Sequence, residues 1–505
     1  MLFELAVFAY IVTSSLFVIG YAAYLVSVVS YRPDLLLLSL FFLALSAVIA
    51  FLNILVGYFY AFSGSAPKND RGTAPPARLP KIALAVATCN ESPQLVGGTL
   101  AALKKMDYPR KLLEFWLLDN SDSGEKRAQM KANAEKHGFR YVHHERMRGF
   151  KAGSLNNFLG LTRAEFFSVF DADEKLFNPK FLMENIGYFQ HDSRLAFVQA
   201  DKKARPAGFF ADAVEAVYAF FYAHMEPMRS ELGIAMYSGS QGILRAGAVR
   251  KIGGFPANPP TPTEDTQFSF HSDIAGYRGL FVKKAYAFGE PVENYSTFAK
   301  QQWKYSYGCA RVLPHYLANL GQVGSWKKHL HYVAQFVGFP YSSLMVIIFG
   351  FISAAFVLSN LSFTMVNFSE LVSIVYKPEG GIMDYAPIIA NIVNVVVISR
   401  AYFGSFRRGM MSALLNFALA FKRSEAALAA SLHDLSEIVV TPKAKNATAS
   451  LLQALRSTGV ETAYATSFLA LSAFSLLRGD LVGGFWMMWY ASMFYLALAF
   501  HYRYK

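Results

Sequence analysis

Charge is scarce in this chain. Only 16% of its 505 residues are Asp, Glu, Lys or Arg, against about 25% in an ordinary soluble domain. The shortfall is uneven: residues 5–31, 35–67 and 329–369 carry none of the four, whereas the middle has a soluble domain's polarity. Cysteine is nearly absent. Cys89 and Cys309 are the only two and stand far apart, which argues against a disulfide framework or a zinc site. Basic runs with interleaved aromatics are also missing, so the net charge of +13 does not point to nucleic acid. The excess suits a positive-inside bias or an anionic substrate such as a nucleotide diphosphate. Nor is there a cleavable leader pattern, which needs a basic start and a short apolar core. Glu4 precedes a run too long for that, so residues 1–67 read as an uncleaved helical hairpin turning at Arg32-Pro33-Asp34.

The uncharged runs at 5–31 and 35–67 each exceed the ~20 residues a helix needs to cross hydrocarbon. Further spans are expected at Tyr332–Leu358, at Asp384–Phe406 with Arg400 placed to snorkel, and as a final hairpin, Thr462–Leu477 and Leu481–His501. Six spans result. Residues 407–435 mix Arg407, Arg408, Lys422, Arg423 and Glu425 with Met, Leu and Phe at helical spacing, the pattern of a helix lying in the membrane interface. Lys and Arg concentrate in the middle of the chain and in residues 407–456, while acids dominate 360–384. By the positive-inside rule both basic segments and both termini are cytosolic, which describes a multi-pass protein of the plasma (inner) membrane. The expected units are a hairpin (1–67), a Pro/Gly/Ala/Arg linker (68–80), a cytosolic domain (81–328), transmembrane helices (329–406), an interfacial helix and loop (407–460) and a C-terminal hairpin (461–505).

From Lys81 short apolar runs alternate with helical patterns. Ile82–Thr88, Phe115–Leu118, Phe166–Phe170 and Ala196–Gln199 read as buried strands, Pro93–Lys105 and Asn178–Phe189 as helices. This alternation predicts a mostly parallel α/β sheet. Such sheets bind ligands beyond the carboxyl ends of their strands, which is where Asp119 and Asp171 fall.

The motifs each admit two readings. Asp171-Ala172-Asp173 follows an apolar strand; its carboxylates can present a divalent cation to a diphosphate, or belong to a solvated loop. Asp119, before Asn120-Ser121-Asp122, suits a nucleotide site or an Asx-turn. In Lys151-Ala152-Gly153-Ser154-Leu155-Asn156, Lys151 can meet phosphate or base; alternatively Ser154 caps a helix. Thr263-Glu264-Asp265 is either ordinary N-terminal helix chemistry or carries a carboxylate base for an acceptor hydroxyl. Gln301-Gln302-Trp303-Lys304-Tyr305 can bind diphosphate and stack on a sugar, or form, with Tyr307, an interfacial aromatic belt.

Taken in order, residues 81–445 resemble the membrane-embedded family-2 glycosyltransferases, the cellulose, chitin, hyaluronan and glucomannan synthase group. The resemblance rests on Val86-Ala87-Thr88-Cys89-Asn90-Glu91, Asp119, the KAGSLN stretch at Lys151, and the DAD of Asp171–Asp173. It continues through Ser238-Gly239-Ser240 with Arg245, Gly253-Gly254-Phe255, Thr263-Glu264-Asp265, Gly289-Glu290-Pro291 and Gln301–Tyr305. Val439-Val440-Thr441-Pro442-Lys443 resembles the family's gating loop. The resemblance implies a GT-A-like, Rossmann-like α/β glycosyltransferase domain set between α-helical transmembrane segments. It implies that Thr88, Glu91, Asp119 and Lys151 hold the nucleoside and that Asp171 contacts the nucleotide. Asp173 would ligate Mg²⁺ or Mn²⁺. Asp265 would be the base, positioned by Glu264. Gln301 and Lys304 would bind diphosphate, Tyr305 and Ser238 would meet the acceptor, and Thr441 and Lys443 would gate the site. The partners implied are a UDP- or GDP-linked sugar, a glycan acceptor, the lipid bilayer and accessory export subunits. Two departures bear on the acceptor: Lys304 and Tyr305 stand where the family has Arg and Trp, losing bidentate phosphate geometry and stacking area. Asn120 replaces the second acid of the family's Asp-Asp pair. The function so implied is inverting, metal-dependent synthesis and export of a β-glycan. The alternatives are single-sugar transfer to a lipid and a non-catalytic export channel.

Overall fold

The computed structural model describes residues 2–28, 33–65, 74–145, 149–259, 261–358, 396, 397, 400, 405–432 and 450–504. Its centre is an eight-stranded sheet in the order β3-β2-β1-β4-β7-β6-β8-β5. The strands are β1 Ile82–Thr88, β2 Leu113–Asp119, β3 Arg140–His143, β4 Phe166–Asp171, β5 Lys175–Leu176, β6 Leu195–Ala204, β7 Gly242–Arg245 and β8 Arg278–Gly289.

The sequence of β1 explains the layering. Its residues alternate large and small, and alternate side chains of a strand face opposite ways. Ile82, Leu84 and Val86 pack with Val96, Leu100 and Met130 on one face. Ala83 and Ala85 pack on the other with Leu155, Phe158 and Phe268. The first face is covered by α3 (Pro93–Leu103) and α4 (Gly124–His137), the second by α5 (Phe150–Leu161). Each large apolar side chain so buried contributes ~1.5–3 kcal/mol. Helix α3 starts where Ser92 accepts a hydrogen bond from the Leu95 amide and Pro93 takes the first turn, a standard N-terminal signal.

The sheet is mixed rather than mostly parallel. β3, β2, β1 and β4 run parallel, as do β6 and β8. β7 is antiparallel to both β4 and β6, and β5 to β8. Gly239 and Gln241, at φ of +79° and +54°, turn the chain into β7. The helix expected at 178–189 is two short ones, α6 (Phe181–Asn185) and α7 (Tyr188–His191), parted around Gly187.

Next come α8 (Phe209–Phe220), α9 (Glu226–Glu231), α10 (Ala246–Ile252), α11 (Glu264–Ile274) and α12 (Tyr295–Ala318). Outside this domain, α1 (Leu2–Val28) and α2 (Pro33–Phe62) form the expected N-terminal hairpin. Following α12 are α13 (Trp326–Val333) and α14 (Phe339–Leu358), joined by a π-helical turn at Ala334–Gly338. The single interfacial helix expected at 407–435 is instead two, α15 (Phe406–Ala418) and α16 (Ala420–Leu432). Then come α17 (Leu451–Ser457), α18 (Gly459–Leu477) and α19 (Leu481–Arg503), with α18 packed on α19. Among the described residues three helical stretches are long and apolar enough to cross a membrane: Leu36–Phe62, Trp326–Ala355 and Gly459–Leu477. The expected span at 384–406 lies mostly outside the described residues, and the loop carrying Thr441 and Lys443 wholly so.

Candidate active site

Strand register brings the first group together. Thr88 is level with Asp119, and Ala87 with both Leu118 and Asp171, so β2, β1 and β4 end at one edge. Thr88 donates to Glu91 Oε2 at 2.8 Å, and the Cys89 amide points to the same oxygen. Asp119 is wholly buried. Its Oδ1 accepts from the Ser121 amide at 2.9 Å and its Oδ2 from the Tyr141 hydroxyl at 2.8 Å. That is an Asx-turn beneath the cavity. Asn120, not Asp119, lines the wall, together with Thr88, Glu91, Lys151 and Asp171.

A lattice of alternating charge spans the edge. Lys151 Nζ lies 2.7 Å from Asp171 Oδ1 and donates to the Gly239 carbonyl at 3.1 Å. Lys202 Nζ stands 3.7 Å from Asp171 Oδ2 and 3.2 Å from Glu174 Oε1. Glu174 also accepts from Ser240 Oγ at 2.6 Å, from Gln241 Nε2 at 2.9 Å and from the Asp171 amide at 2.9 Å. Burial works against both ammonium groups, but the facing carboxylates outweigh it and hold Lys151 and Lys202 above the usual lysine value. Both therefore stay charged at neutral pH. Asp173, nearly buried, accepts from the Glu290 amide at 3.3 Å. Lys202 and Glu174 were not picked out by sequence reasoning. Their signals were a lysine pair at the end of an apolar strand and an acid directly after the DAD.

Helix α11 brings Glu264 and Asp265 into the same cavity. Asp265 Oδ1 accepts from the Thr266 amide at 2.7 Å. Gly239 makes the space: a Cβ there would stand 3.0 Å from Asp265 Oδ2. Burial pushes both carboxyls above the ordinary range. The Asp265 charge adds to the rise at Glu264, and Lys151 opposes it at both. Thr263 occupies the N-cap position without a side-chain capping bond. Ser154 lies inside α5, whose N-cap is Gly149, so it caps nothing.

From α12, Gln301, Gln302, Lys304 and Tyr305 line the cavity. The Tyr218 hydroxyl donates to Gln301 Oε1 at 2.8 Å and accepts from Gln302 Nε2 at 3.1 Å. The Tyr218 ring meets Tyr305 edge-on at 6.4 Å. Trp303 and Tyr307 stack on each other at 5.2 Å instead, and Tyr307 is buried against Ala426 and Ala430 of α16. That is a helix–helix contact rather than an exposed aromatic belt. Ser238 lines the cavity and its amide donates to Gln199 Oε1 at 2.9 Å.

The cavity measures about 1460 Å³ and continues past Tyr305 between α2, α14, α15 and α16. Among the described residues no three His, Cys, Asp or Glu side chains gather to hold a metal ion by themselves. Asp173 offers a hard oxygen donor on the wall, so a cation there needs oxygens from a bound ligand. The arrangement thus joins a charged strand edge, the paired carboxyls of Glu264 and Asp265 and the Tyr305 ring in one cavity.

Residues 167–370 match the family model described as glycosyl transferase family group 2. The chain is 26% identical over 277 residues to the UDP-forming cellulose synthase catalytic subunit of Pseudomonas fluorescens, covering 53% of this chain and 36% of that protein. It is 25% identical over 266 residues to cellulose synthase 2 of Novacetimonas hansenii, covering 50% of this chain and 16% of that protein. It therefore spans about a third or less of the length of these relatives. A solved mannosyltransferase from Pyrobaculum calidifontis, in complex with GDP-Man and Mn²⁺, superposes with a TM-score of 0.50 at 18% identity, covering 70% of this chain and 96% of that one. This likeness shows a GT-A-like fold.

Proposed function

We propose that this chain, a glycosyltransferase with a family-2 domain of the cellulose-synthase type, is an inverting polysaccharide synthase that elongates and exports a β-glycan. The observation that carries this reading is one cavity. It holds Asp171 and Asp173, the lysine lattice, Asp265 and Tyr305, and then runs on between helices beyond the catalytic domain. Both ends of a transfer reaction and a path away from it share one space.

In this reading Thr88, Glu91 and Lys151 hold the nucleoside, with Asp119 fixing the turn behind them. Asp171 and Lys202 face the diphosphate, and Gln301 and Lys304 meet it from α12. Asp173 would hold Mg²⁺ or Mn²⁺, which supplies positive charge to the leaving diphosphate. Asp265 takes the proton of an acceptor hydroxyl while that oxygen bonds to the anomeric carbon. The bond from that carbon to the diphosphate oxygen breaks on the opposite face, and the electron pair leaves with the nucleotide. Glu264 positions Asp265, while Tyr305 and Ser238 hold the acceptor. Thr441 and Lys443, outside the described residues, would gate the site. Six spans in the plasma (inner) membrane would place residues 81–328 in the cytosol, with accessory export subunits as further partners. A second reading, transfer of one sugar to a lipid, draws on the apolar wall that α2 gives the cavity through Leu52, Leu55, Val56 and Phe59.

The deciding experiment gives the purified full chain a panel of UDP- and GDP-sugars with Mn²⁺, then sizes the product. A polymer with nucleotide diphosphate release supports synthesis. A single-sugar lipid product supports the second reading, and no release with any donor defeats both.

A further inference from the structure

Arg423 stands on the first turn of α16 and lines the cavity. It is only 7% exposed. A guanidinium carries several N–H donors in a planar fork. Among the described residues only one meets an acceptor, Gln302 Oε1, and Nε is buried with no hydrogen-bond partner. The Phe339 ring lies 5.2 Å from the guanidinium. Among the described residues no carboxylate is within ion-pair distance of it. Burial lowers it to about 10, so it stays charged at neutral pH. Of the other cations lining the cavity, Lys151, Lys202, Lys203 and Arg205 face carboxylates. Among the lining residues contributed by α2, Ala334–Val346, α15 and α16, Arg423 is the only charged one. A buried cation with nothing to pair with is costly to keep.

Its neighbours place it on the acceptor side. Gln302, which it contacts, is one helical turn from Tyr305 on α12. Tyr218 ties Gln301 and Gln302 together and meets the Tyr305 ring. We propose that Arg423 is the cation of an acceptor subsite that takes an oxyanion, carboxylate or phosphate, carried by the acceptor just behind its reacting hydroxyl. The planar fork matches either group in bidentate geometry. A carboxylate would come from a uronic sugar of the glycan, a phosphate from a lipid-linked acceptor. This inference rests on the acceptor reading of the cavity and names the chemical class of that acceptor.

The test uses the full chain in phosphatidylcholine nanodiscs and three probes: a glucuronate-containing oligosaccharide, a neutral one of equal length, and dodecyl phosphate. One anionic probe should bind about tenfold tighter than the neutral one, the size expected of a single charge-assisted contact. Which one does so tells glycan from lipid. Arg423→Gln should abolish the preference and Arg423→Lys should keep part of it, with affinity for nucleotide diphosphate unchanged in both. Should the variants fail to bind nucleotide, the native chain still decides. Modification of Arg423 by phenylglyoxal, read by mass spectrometry, should be slowed by the preferred anionic probe and not by the neutral one. Equal affinity for all probes, a preference surviving Arg423→Gln, or modification that no probe slows would overturn the subsite and leave the transferase reading intact. Intact nucleotide binding with no binding of any probe would instead defeat the acceptor reading itself.

Discussion

Asp265 has the properties a base for a sugar hydroxyl needs. It is half-buried, held by the Thr266 amide, and raised above the ordinary carboxylate range, which strengthens it as a proton acceptor. Asp265→Asn should cut transfer by about 10²–10⁴-fold, with nucleotide affinity nearly unchanged, since the proposed nucleotide contacts come from β1, β4 and β6 rather than from α11. Near-native turnover in the variant would place the base elsewhere. The pH profile follows from the same shift. The base must be deprotonated, so the rate should rise with pH through a value above the usual Asp range and then level off. Lys151 opposes the rise at Asp265. Lys151→Met therefore removes a charge that favours the carboxylate, and the acid limb should move to higher pH when measured at saturating nucleotide sugar. A limb that stays in place would separate Lys151 from the base. At this scale Asp171, Asp173, Asp265, Lys304 and Tyr305 were legible because motif spacing and strand ends carry them. Lys202, Glu174 and Arg423 were not, because each matters through a neighbour distant in sequence. Asp119 shows the converse: the same local pattern that suggested a ligand contact builds an Asx-turn.

Elements were readable where packing follows a period. β1 spans the run of alternating residues expected of it, and Asp119 and Asp171 close β2 and β4. β7 was not readable, since Gly242–Arg245 has four residues and no alternation, and its direction is set by tertiary pairing with β4 and β6. Helix-on-helix placement was equally silent, and the key contact is Gly308. A Cβ at this position of α12 would overlap the side chain of Thr263, at the start of α11. Gly308 thus lets α12 sit against the turn that presents Glu264 and Asp265. Gly308→Ala should push the two helices apart, costing ~1–3 kcal/mol of stability as overpacking does. Transfer should fall far more than nucleotide affinity. Thr263→Gly in the same chain should restore activity, because glycine is tolerated at an N-cap and removes the opposing atoms. Full activity of the single variant in a transfer assay would show that this contact does not set the base.

For the whole molecule, the uneven distribution of charge marked the chain ends as membrane-like before any fold was known, and Leu36–Phe62, Trp326–Ala355 and Gly459–Leu477 fit that expectation. It could not show that the catalytic edge and the helices enclose one cavity, because that depends on how α12, α15 and α16 fold back over the sheet. At about 1460 Å³ the cavity exceeds the ~300–1,000 Å³ of a typical small-ligand pocket, so it has room for a donor and an acceptor together. Ser342 of α14 lies in the cavity wall, on a different element from the strand edge and from α11, which carries Asp265. In a synthase that passes its product along this route, Ser342→Trp narrows the path without touching the chemistry. The first transfers onto a short primer, read as nucleotide diphosphate release, should then stay within about twofold of native, because no transition-state contact is lost. Product length should fall sharply, because each added sugar must push the chain past the new ring. Size-exclusion of the reaction products separates the two effects. An unchanged length distribution would mean that the glycan leaves the site without entering the space between α2, α14 and α15. A parallel loss of release and length would mean that Ser342 helps hold the acceptor itself.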